Sequence, residues 1–168
     1  MKDVLEINSK RIVFVLEYCS GPELSVYLKK HSALEEKDAK QIIYQLFAAL
    51  HYLFGLEKKV IHYDLKPSNI IFHNGTVKIL DFGLCKLMEG EESRMDLTSQ
   101  GAGTYWYLPP ETFCEEGTKI SSTVDVWSVG VIFYELLYGK RPFANGISQK
   151  MIMQKNLIQK EAQNLSFP

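Results

Sequence analysis

Four polar side chains lie at a spacing that suits the transfer of a phosphoryl group. Asp64, Lys66 and Asn69 share one short segment, and Asp81 follows a strand-like run, Thr76-Val77-Lys78-Ile79-Leu80. A carboxylate can accept the proton of an attacking hydroxyl, and an ammonium group can neutralise charge on the group that moves. Carboxylate and amide oxygens are suitable ligands for Mg²⁺. The spacing of these four residues therefore suits a site for phosphoryl transfer.

The two strings that hold these residues resemble the catalytic motifs of protein kinases. His62-Tyr63-Asp64-Leu65-Lys66-Pro67-Ser68-Asn69 matches the catalytic-loop pattern H-R-D-x-x-x-x-N, and Asp81-Phe82-Gly83 matches D-F-G. The resemblance implies ATP and Mg²⁺ as cofactors, with Asp64 as the base that takes the proton of the substrate hydroxyl and with Asn69 and Asp81 as the Mg²⁺ ligands. Lys66 is the usual residue of serine/threonine kinases at its position. Either string alone could instead form a surface turn, because Asp, Asn, Pro and Gly favour turns.

A second motif follows where a kinase closes its activation segment. The string Gly101-Ala102-Gly103-Thr104-Tyr105-Trp106-Tyr107-Leu108-Pro109-Pro110-Glu111 has Pro-Pro-Glu where Ala-Pro-Glu is commoner. The resemblance implies that Thr104 hydrogen-bonds toward Asp64 and Lys66, and that residues 105–109 form a shelf for the substrate; the alternative is an aromatic surface loop. Residues 85–100 have the polar, acidic composition of a mobile loop, with Ser93, Thr98 and Ser99 as possible phosphorylation sites.

Longer strings are similar to the tousled-like kinases, which are nuclear serine/threonine kinases linked to chromatin assembly. They are the catalytic-loop string 62–67, the string Leu97-Thr98-Ser99-Gln100 that leads into the second motif, and Val124-Asp125-Val126-Trp127-Ser128-Val129-Gly130. Tyr63 in place of the usual arginine and the double proline distinguish this family from kinases in general. The similarity extends from about Val13 onward, and it implies a nuclear location and protein substrates of the histone-chaperone type.

Tyr63 has a consequence for regulation. In most regulated kinases the arginine at this position pairs with a phosphate on the activation loop through a charge-assisted contact. A tyrosine cannot make that contact. We therefore expect activation not to depend on a phosphate held by residue 63, although other cations could still bind one.

Composition limits the other functions that the chain could have. Its 168 residues suit one compact domain, and its formal net charge of −1 with scattered Lys and Arg predicts neither a nucleic-acid-binding nor a membrane-binding surface. The three cysteines show no metal-ligand spacing and are expected to be reduced thiols in an intracellular protein. The partners we expect are therefore ATP and a protein substrate; the segment does not encode an oligomeric state.

The predicted fold class is α+β, a protein-kinase-like fold that consists mostly of the helical large lobe. Residues 1–16 are expected to be a remnant of the small-lobe sheet, residues 17–22 the hinge, and residues 23–168 an incomplete large lobe. Apolar residues at helical spacing predict an amphipathic helix over residues 35–54, with Phe47 among its core positions. Residues 123–138 are almost wholly apolar and predict a buried helix that stops at Gly139. Asp125 near its start would be a buried charge unless it is paired, and the resemblance to kinases implies that it holds catalytic-loop backbone groups. A polar helix is predicted at about residues 148–160.

The resemblance also implies a nucleotide pocket at the hinge. In that interpretation Leu16 is the gatekeeper, the backbone of Glu17 and Cys19 meets the adenine edge, Glu23 reaches the ribose, and Ile71 forms the apolar floor. A plain edge strand followed by a turn is the alternative, because hinge residues act mainly through backbone groups that a sequence does not display.

Two standard kinase features are not found in the sequence. It contains neither a G-x-G-x-x-G loop before the hinge nor a Val-Ala-Ile-Lys strand. We therefore expect a partial kinase domain that has little activity by itself, because transfer also requires the small-lobe lysine. Two hypotheses follow: a segment of an active serine/threonine kinase, or a kinase-like binding or dominant-interfering protein without turnover.

Overall fold

The computed structural model describes residues 2–8, 10–88, 94–97, 102–113 and 118–164, and it begins with an exposed hairpin. Strand β1 (Asp3–Ile7) pairs antiparallel with β2 (Arg11–Val15), and every residue of both strands is exposed. Both strands lie within residues 1–16, where the sequence predicts a remnant of a sheet, and Leu16 lies just beyond β2. The bounds of β1 were not predicted, because its order of polar and apolar residues shows no alternation.

Helix α1 (Leu24–His31) precedes the long amphipathic helix α2 (Glu36–Phe54), which confirms the helix predicted at residues 35–54. The buried residues of α2 recur at the three- and four-residue spacing of one helix face: Ala39, Ile42, Ile43, Leu46 and Leu50. The prediction of Phe47 as a core residue is wrong, since its side chain is 41% exposed. It follows Leu46 by one residue, which turns it about 100° away from the buried face.

Helix α3 (Thr123–Tyr138) has the predicted bounds and packs against α2. It ends at Gly139, whose φ of 68° is the left-handed conformation that glycine adopts without strain. The predicted burial of this helix is confirmed for one face and wrong for the other. Val124, Val129 and Ile132 are fully buried, but Val126 on the opposite face is 43% exposed.

Three further short antiparallel strand pairs lie within the described residues. β3 (Lys59–Ile61) pairs with β6 (Lys86–Met88), β4 (Ile70–His73) with β5 (Thr76–Ile79), and β7 (Met95–Asp96) with β8 (Lys119–Ile120). The catalytic loop joins β3 to β4, so strands fix both of its ends. β6 and β7 also correct the prediction for residues 85–100, because parts of that stretch are short strands and not loop.

The predicted helix at residues 148–160 is two helices. α4 (Gln149–Lys155) and α5 (Leu157–Ala162) are separated by Asn156, whose φ is 50°. Asparagine adopts this left-handed conformation more readily than most residues, and a single such residue ends a right-handed helix. The pattern of polar residues does not show this break.

The helical body with small antiparallel sheets confirms the predicted α+β class. The core contains fully buried side chains from both long helices, among them Leu46, Ile132 and Leu136. Within the part of the chain that the structure describes, no helix combines the length and apolar character needed to cross a membrane.

Candidate active site

Asp125 fixes the backbone at the start of the catalytic loop. Its carboxylate is fully buried and accepts hydrogen bonds from the backbone N–H groups of His62 (2.7 Å) and Tyr63 (2.9 Å). Burial raises the pKa of Asp125, while these two hydrogen bonds act in the opposite direction by stabilising the ionised form. The predicted role of Asp125, holding backbone groups of the loop, is confirmed. The loop is thus anchored on the buried helix α3.

His62 connects the catalytic loop to the segment that carries Asp81. Its Nδ1 lies 3.3 Å from the backbone nitrogen of Asp64 and accepts that N–H, so the proton of the neutral ring is assigned to Nε2. Nε2 then donates to the carbonyl of Leu80 at 2.9 Å. The imidazole also meets the Phe82 ring edge-on, with 4.8 Å between centroids. One buried histidine therefore holds the predicted base and the D-F-G string in a fixed relation.

The carboxylate of Asp64 is the centre of a hydrogen-bonded cluster of side chains. Thr104 Oγ1 donates to Asp64 Oδ1 at 2.7 Å, and Lys66 Nζ lies 2.7 Å from Oδ2 and 2.9 Å from Thr104 Oγ1. The Asn69 amide donates to the Asp64 carbonyl at 2.9 Å and to Oδ2 at 3.2 Å. The structure thus brings together Lys66, Asn69 and Thr104 around Asp64, and it shows the hydrogen bonds of Thr104 toward Asp64 and Lys66 that the resemblance implied. These donors fix the orientation of the Asp64 carboxylate, which a base needs in order to meet a bound hydroxyl group.

Asp81 lies beside this cluster but makes a different contact. The backbone N–H of Leu80 donates to the Asn69 carbonyl at 2.8 Å, which places Asp81 next to the catalytic loop. Asp81 has φ of 59°, its side chain is exposed, and its Oδ1 accepts the N–H of Gly83 at 3.1 Å.

The donor chemistry of Asp81 and Asn69 suits Mg²⁺. Because the amide nitrogen of Asn69 points to Asp64, its amide oxygen Oδ1 is the atom that could bind a metal. Mg²⁺ is commonly held by one or two protein oxygen ligands together with phosphate oxygens and water. A carboxylate and an amide oxygen fit that requirement, and within the described residues no group of three or more His, Cys, Asp or Glu forms an alternative metal site. Metal binding by these two residues stays a prediction.

The predicted hinge is held mainly through backbone contacts with β4. The N–H of Gly21 donates to the Phe72 carbonyl at 3.1 Å, and the N–H of Phe72 donates to the Pro22 carbonyl at 3.0 Å. A Cβ on Gly21 would lie 2.2 Å from the Phe72 oxygen, so this close approach requires glycine. The same pairing forms a bridge between Glu23 and Ile71, two residues that the sequence predicts in one nucleotide pocket.

The side chains of the residues predicted to meet adenine and ribose are partly or largely exposed; for Glu17 and Cys19 the predicted contact is through the backbone. Leu16 is 66% exposed, and the Cys19 thiol is partly exposed. The Glu17 carboxylate lies 3.2 Å from Lys78 Nζ, and this hydrogen bond lowers the pKa of Glu17. The Glu23 carboxylate accepts a hydrogen bond from Ser25 Oγ at 3.0 Å. Lys78 contacts a predicted site residue but was not predicted itself, because the two are far apart in the sequence.

Residues 105–107 form a 3₁₀ turn that is held on helix α3. The Tyr107 hydroxyl donates to Glu135 Oε2 at 2.7 Å, and Ser128 Oγ donates to the Tyr107 carbonyl at 2.8 Å. Trp106 Nε1 donates to the carbonyl of Ile147 at 3.1 Å. Burial is the main cause of a strongly raised pKa at Tyr107. These hydrogen bonds anchor the turn. Its role as a substrate shelf stays a prediction.

Tyr63 lies in the interior, with only 1% of its surface exposed and with φ of 68°. The Lys86 ammonium lies over its ring, 4.8 Å from the centroid, and burial raises the pKa of the Tyr63 hydroxyl to about 12. At neutral pH the ring is therefore an uncharged partner for a cation. The sequence predicted the absence of an arginine-to-phosphate contact here but not the contact with Lys86. The possible phosphorylation sites Ser93, Thr98 and Ser99 lie outside the described residues.

Comparisons with known proteins agree with this geometry. The family model described as protein kinase domain matches residues 1–168. The chain is 51% identical over 176 aligned positions to serine/threonine-protein kinase tousled-like 2 of Mus musculus, an alignment that covers 99% of this chain and 24% of the mouse protein. Identity is 50% to serine/threonine-protein kinase tousled-like 1 of Homo sapiens and 50% to serine/threonine-protein kinase TOUSLED of Arabidopsis thaliana, which are covered to 23% and 25% of their lengths. The chain thus spans about a quarter of the length of these curated relatives.

Proposed function

The chain belongs to the protein kinase domain family, and we propose that it is the phosphotransfer segment of an ATP- and Mg²⁺-dependent serine/threonine kinase. The observation that carries the proposal is the Asp64 carboxylate, 7% exposed and hydrogen-bonded by Thr104, Lys66 and Asn69. A carboxylate held in this way suits the removal of a proton from a hydroxyl group. Similarity to the tousled-like kinases supports the choice of serine and threonine as acceptors.

The residues of this chain divide the chemistry among them. Asp64 takes the proton of the acceptor hydroxyl as that oxygen bonds to the γ-phosphorus and the bond to the ADP leaving group breaks. Thr104 holds the carboxylate from one side, while Lys66 offers positive charge for the phosphoryl oxygens. Asn69 and Asp81 supply oxygen ligands for Mg²⁺, which when bound neutralises charge on the phosphates.

The cellular location and the protein substrate are inferred from the similarity to the relatives. We propose a nuclear location and a protein substrate of the histone-chaperone type, as the resemblance to the tousled-like kinases implies. Glu17, Cys19, Glu23 and Ile71 would bind the nucleotide, with Leu16 beside them, and the bridge between Glu23 and Ile71 supports this arrangement.

A chimera provides the test. Residues 13–168 of this chain replace the matching segment of the mouse tousled-like 2 protein, and transfer from γ-labelled ATP to casein is followed by phosphoamino-acid analysis. We expect phosphoserine and phosphothreonine. Labelling mainly on tyrosine would contradict the choice of acceptor. A folded chimera that binds ATP but transfers nothing would overturn the proposal and favour a kinase-like binding protein.

Tyr63 supports a further point about regulation. Because the ring at this position contacts Lys86 and cannot pair with a phosphate, loop phosphorylation should adjust the activity and not switch it on. The chimera with alanine at Ser93, Thr98 and Ser99 should therefore remain active. Complete loss of transfer in a folded triple variant would show that a phosphate in this loop is required.

A further inference from the structure

A polar groove of about 350 Å³ extends from the predicted catalytic loop toward helix α1 and the end of α3. Lys66 and Thr104, which contact Asp64, lie at one side of it, and Lys29 and Arg141 lie on its walls. The groove is therefore continuous with the point where an acceptor hydroxyl would meet Asp64. A substrate chain that presents its hydroxyl there could place a neighbouring side chain in the groove.

The charges of the groove favour an anionic side chain. Glu135 is the one acidic residue among its described lining, and its carboxylate already accepts a hydrogen bond from the hydroxyl of the buried Tyr107 at 2.7 Å. Two cations face the same space besides Lys66: Lys29 on an exposed position of α1, and Arg141, whose guanidinium lies 4.5 Å from the centre of the Trp106 ring. Stacking on an aromatic ring orients a guanidinium while its N–H donors remain directed outward.

We propose that this groove binds an acidic side chain of the substrate, and that Lys29 and Arg141 select it. The inference rests on the proposed function only in that the peptide bound here is the kinase substrate. Arg141 provides a planar pair of donors that matches a carboxylate, and Lys29 adds a flexible charge at the rim. The negative charge of Glu135 repels an acidic side chain, but its hydrogen bond with Tyr107 directs the Glu135 carboxylate into the wall of the groove.

Peptide binding to the 168-residue chain tests the proposal without requiring transfer. The probes are fluorescent peptides with one central serine in an alanine background, in which one glutamate, or one lysine, is moved through each flanking position. We expect glutamate at one position, or at two adjacent ones, to tighten binding by about three- to ten-fold relative to alanine, as expected for one or two partly exposed ion pairs. Equal binding of all peptides, or a preference for lysine, would overturn the proposal.

Variants of the groove identify the residues responsible. Lys29→Gln and Arg141→Gln should each remove most of the glutamate preference, and Lys29→Glu should shift it toward lysine. Lys30→Gln is the matched control, because Lys30 is the exposed neighbour on the same helix and does not line the groove. Circular dichroism checks that each variant remains folded. A glutamate preference that survives in the folded double variant Lys29→Gln, Arg141→Gln would contradict the assignment.

The same peptides in the chimera separate this inference from the proposed function. Transfer with no glutamate preference would leave the kinase assignment intact and refute the proposal that the groove binds an acidic side chain. Glutamate-selective binding without any transfer would refute the kinase assignment and retain the groove as an acidic-peptide site.

Discussion

The catalytic loop and the hinge are held in contrasting ways. Asp64 is 7% exposed and is hydrogen-bonded by three side chains, while the buried Asp125 fixes the backbone before it. Leu16 in the hinge region is 66% exposed, and the ion pair of Glu17 with Lys78 lies at the surface. Hydrogen bonds among buried polar groups are strengthened by low local dielectric, whereas exposed pairs are weakened by solvent. We therefore expect substitutions to have large effects in the catalytic loop and small effects at exposed side chains of the hinge region and the hairpin.

The largest of the following effects should come from Asp81. Asp81→Asn removes the charged oxygen ligand predicted for Mg²⁺, so transfer by the chimera should fall roughly 10³-fold. The side chain is exposed, and stability should therefore change little. Transfer rates measured across a range of Mg²⁺ concentrations provide the check. A rate near that of the unsubstituted chimera at all concentrations would remove Asp81 from the site.

Asp125→Asn should have the next largest effect, on stability. Asparagine offers one acceptor oxygen where the carboxylate accepts the N–H groups of both His62 and Tyr63, so one buried donor would lose its partner. We expect the free energy of unfolding to fall by about 2–3 kcal/mol. Urea unfolding of the 168-residue chain measures it. Asp96→Asn, an exposed aspartate on β7, is the control and should change stability by less than about 0.5 kcal/mol. Equal effects of the two substitutions would contradict the anchoring role.

Thr104→Val should have a moderate effect on transfer. Valine keeps the shape of threonine but removes the hydroxyl that donates to Asp64 and accepts from Lys66. Removing a charge-assisted hydrogen bond of this kind should slow transfer in the chimera by about ten-fold. Thr104→Ser retains the hydroxyl and should stay near the original rate. If serine and valine reduce the rate equally, the hydroxyl is not the important group.

The smallest effect should come from the N-terminal hairpin. Phe14 is 60% exposed, so Phe14→Ala should change the free energy of unfolding by less than about 0.5 kcal/mol. Leu46 in α2 is fully buried, and Leu46→Ala should lower stability by about 2–5 kcal/mol. If urea unfolding shows comparable losses of stability for Phe14→Ala and Leu46→Ala, the hairpin is held as firmly as the core and the comparison is wrong.

The same contrast explains how much of the molecule could be predicted from the sequence. Asp64, Asn69 and Asp81 could be predicted because their chemistry lies in side chains at fixed local spacing, and α2 and α3 because their apolar residues recur along one segment. Contacts between distant residues, such as Lys86 with Tyr63, leave no local signal. The break at Asn156 depends on one backbone angle, which a single residue type does not fix.

The most direct test of the account is the Asp64→Asn chimera, which removes the proposed base and retains the shape of the side chain. ATP affinity and the free energy of unfolding should stay close to those of the unsubstituted chimera, while single-turnover transfer to a serine peptide should fall by about 10²- to 10⁴-fold. Transfer at an undiminished rate in the folded, ATP-bound variant would contradict the central claim that Asp64 is the catalytic base.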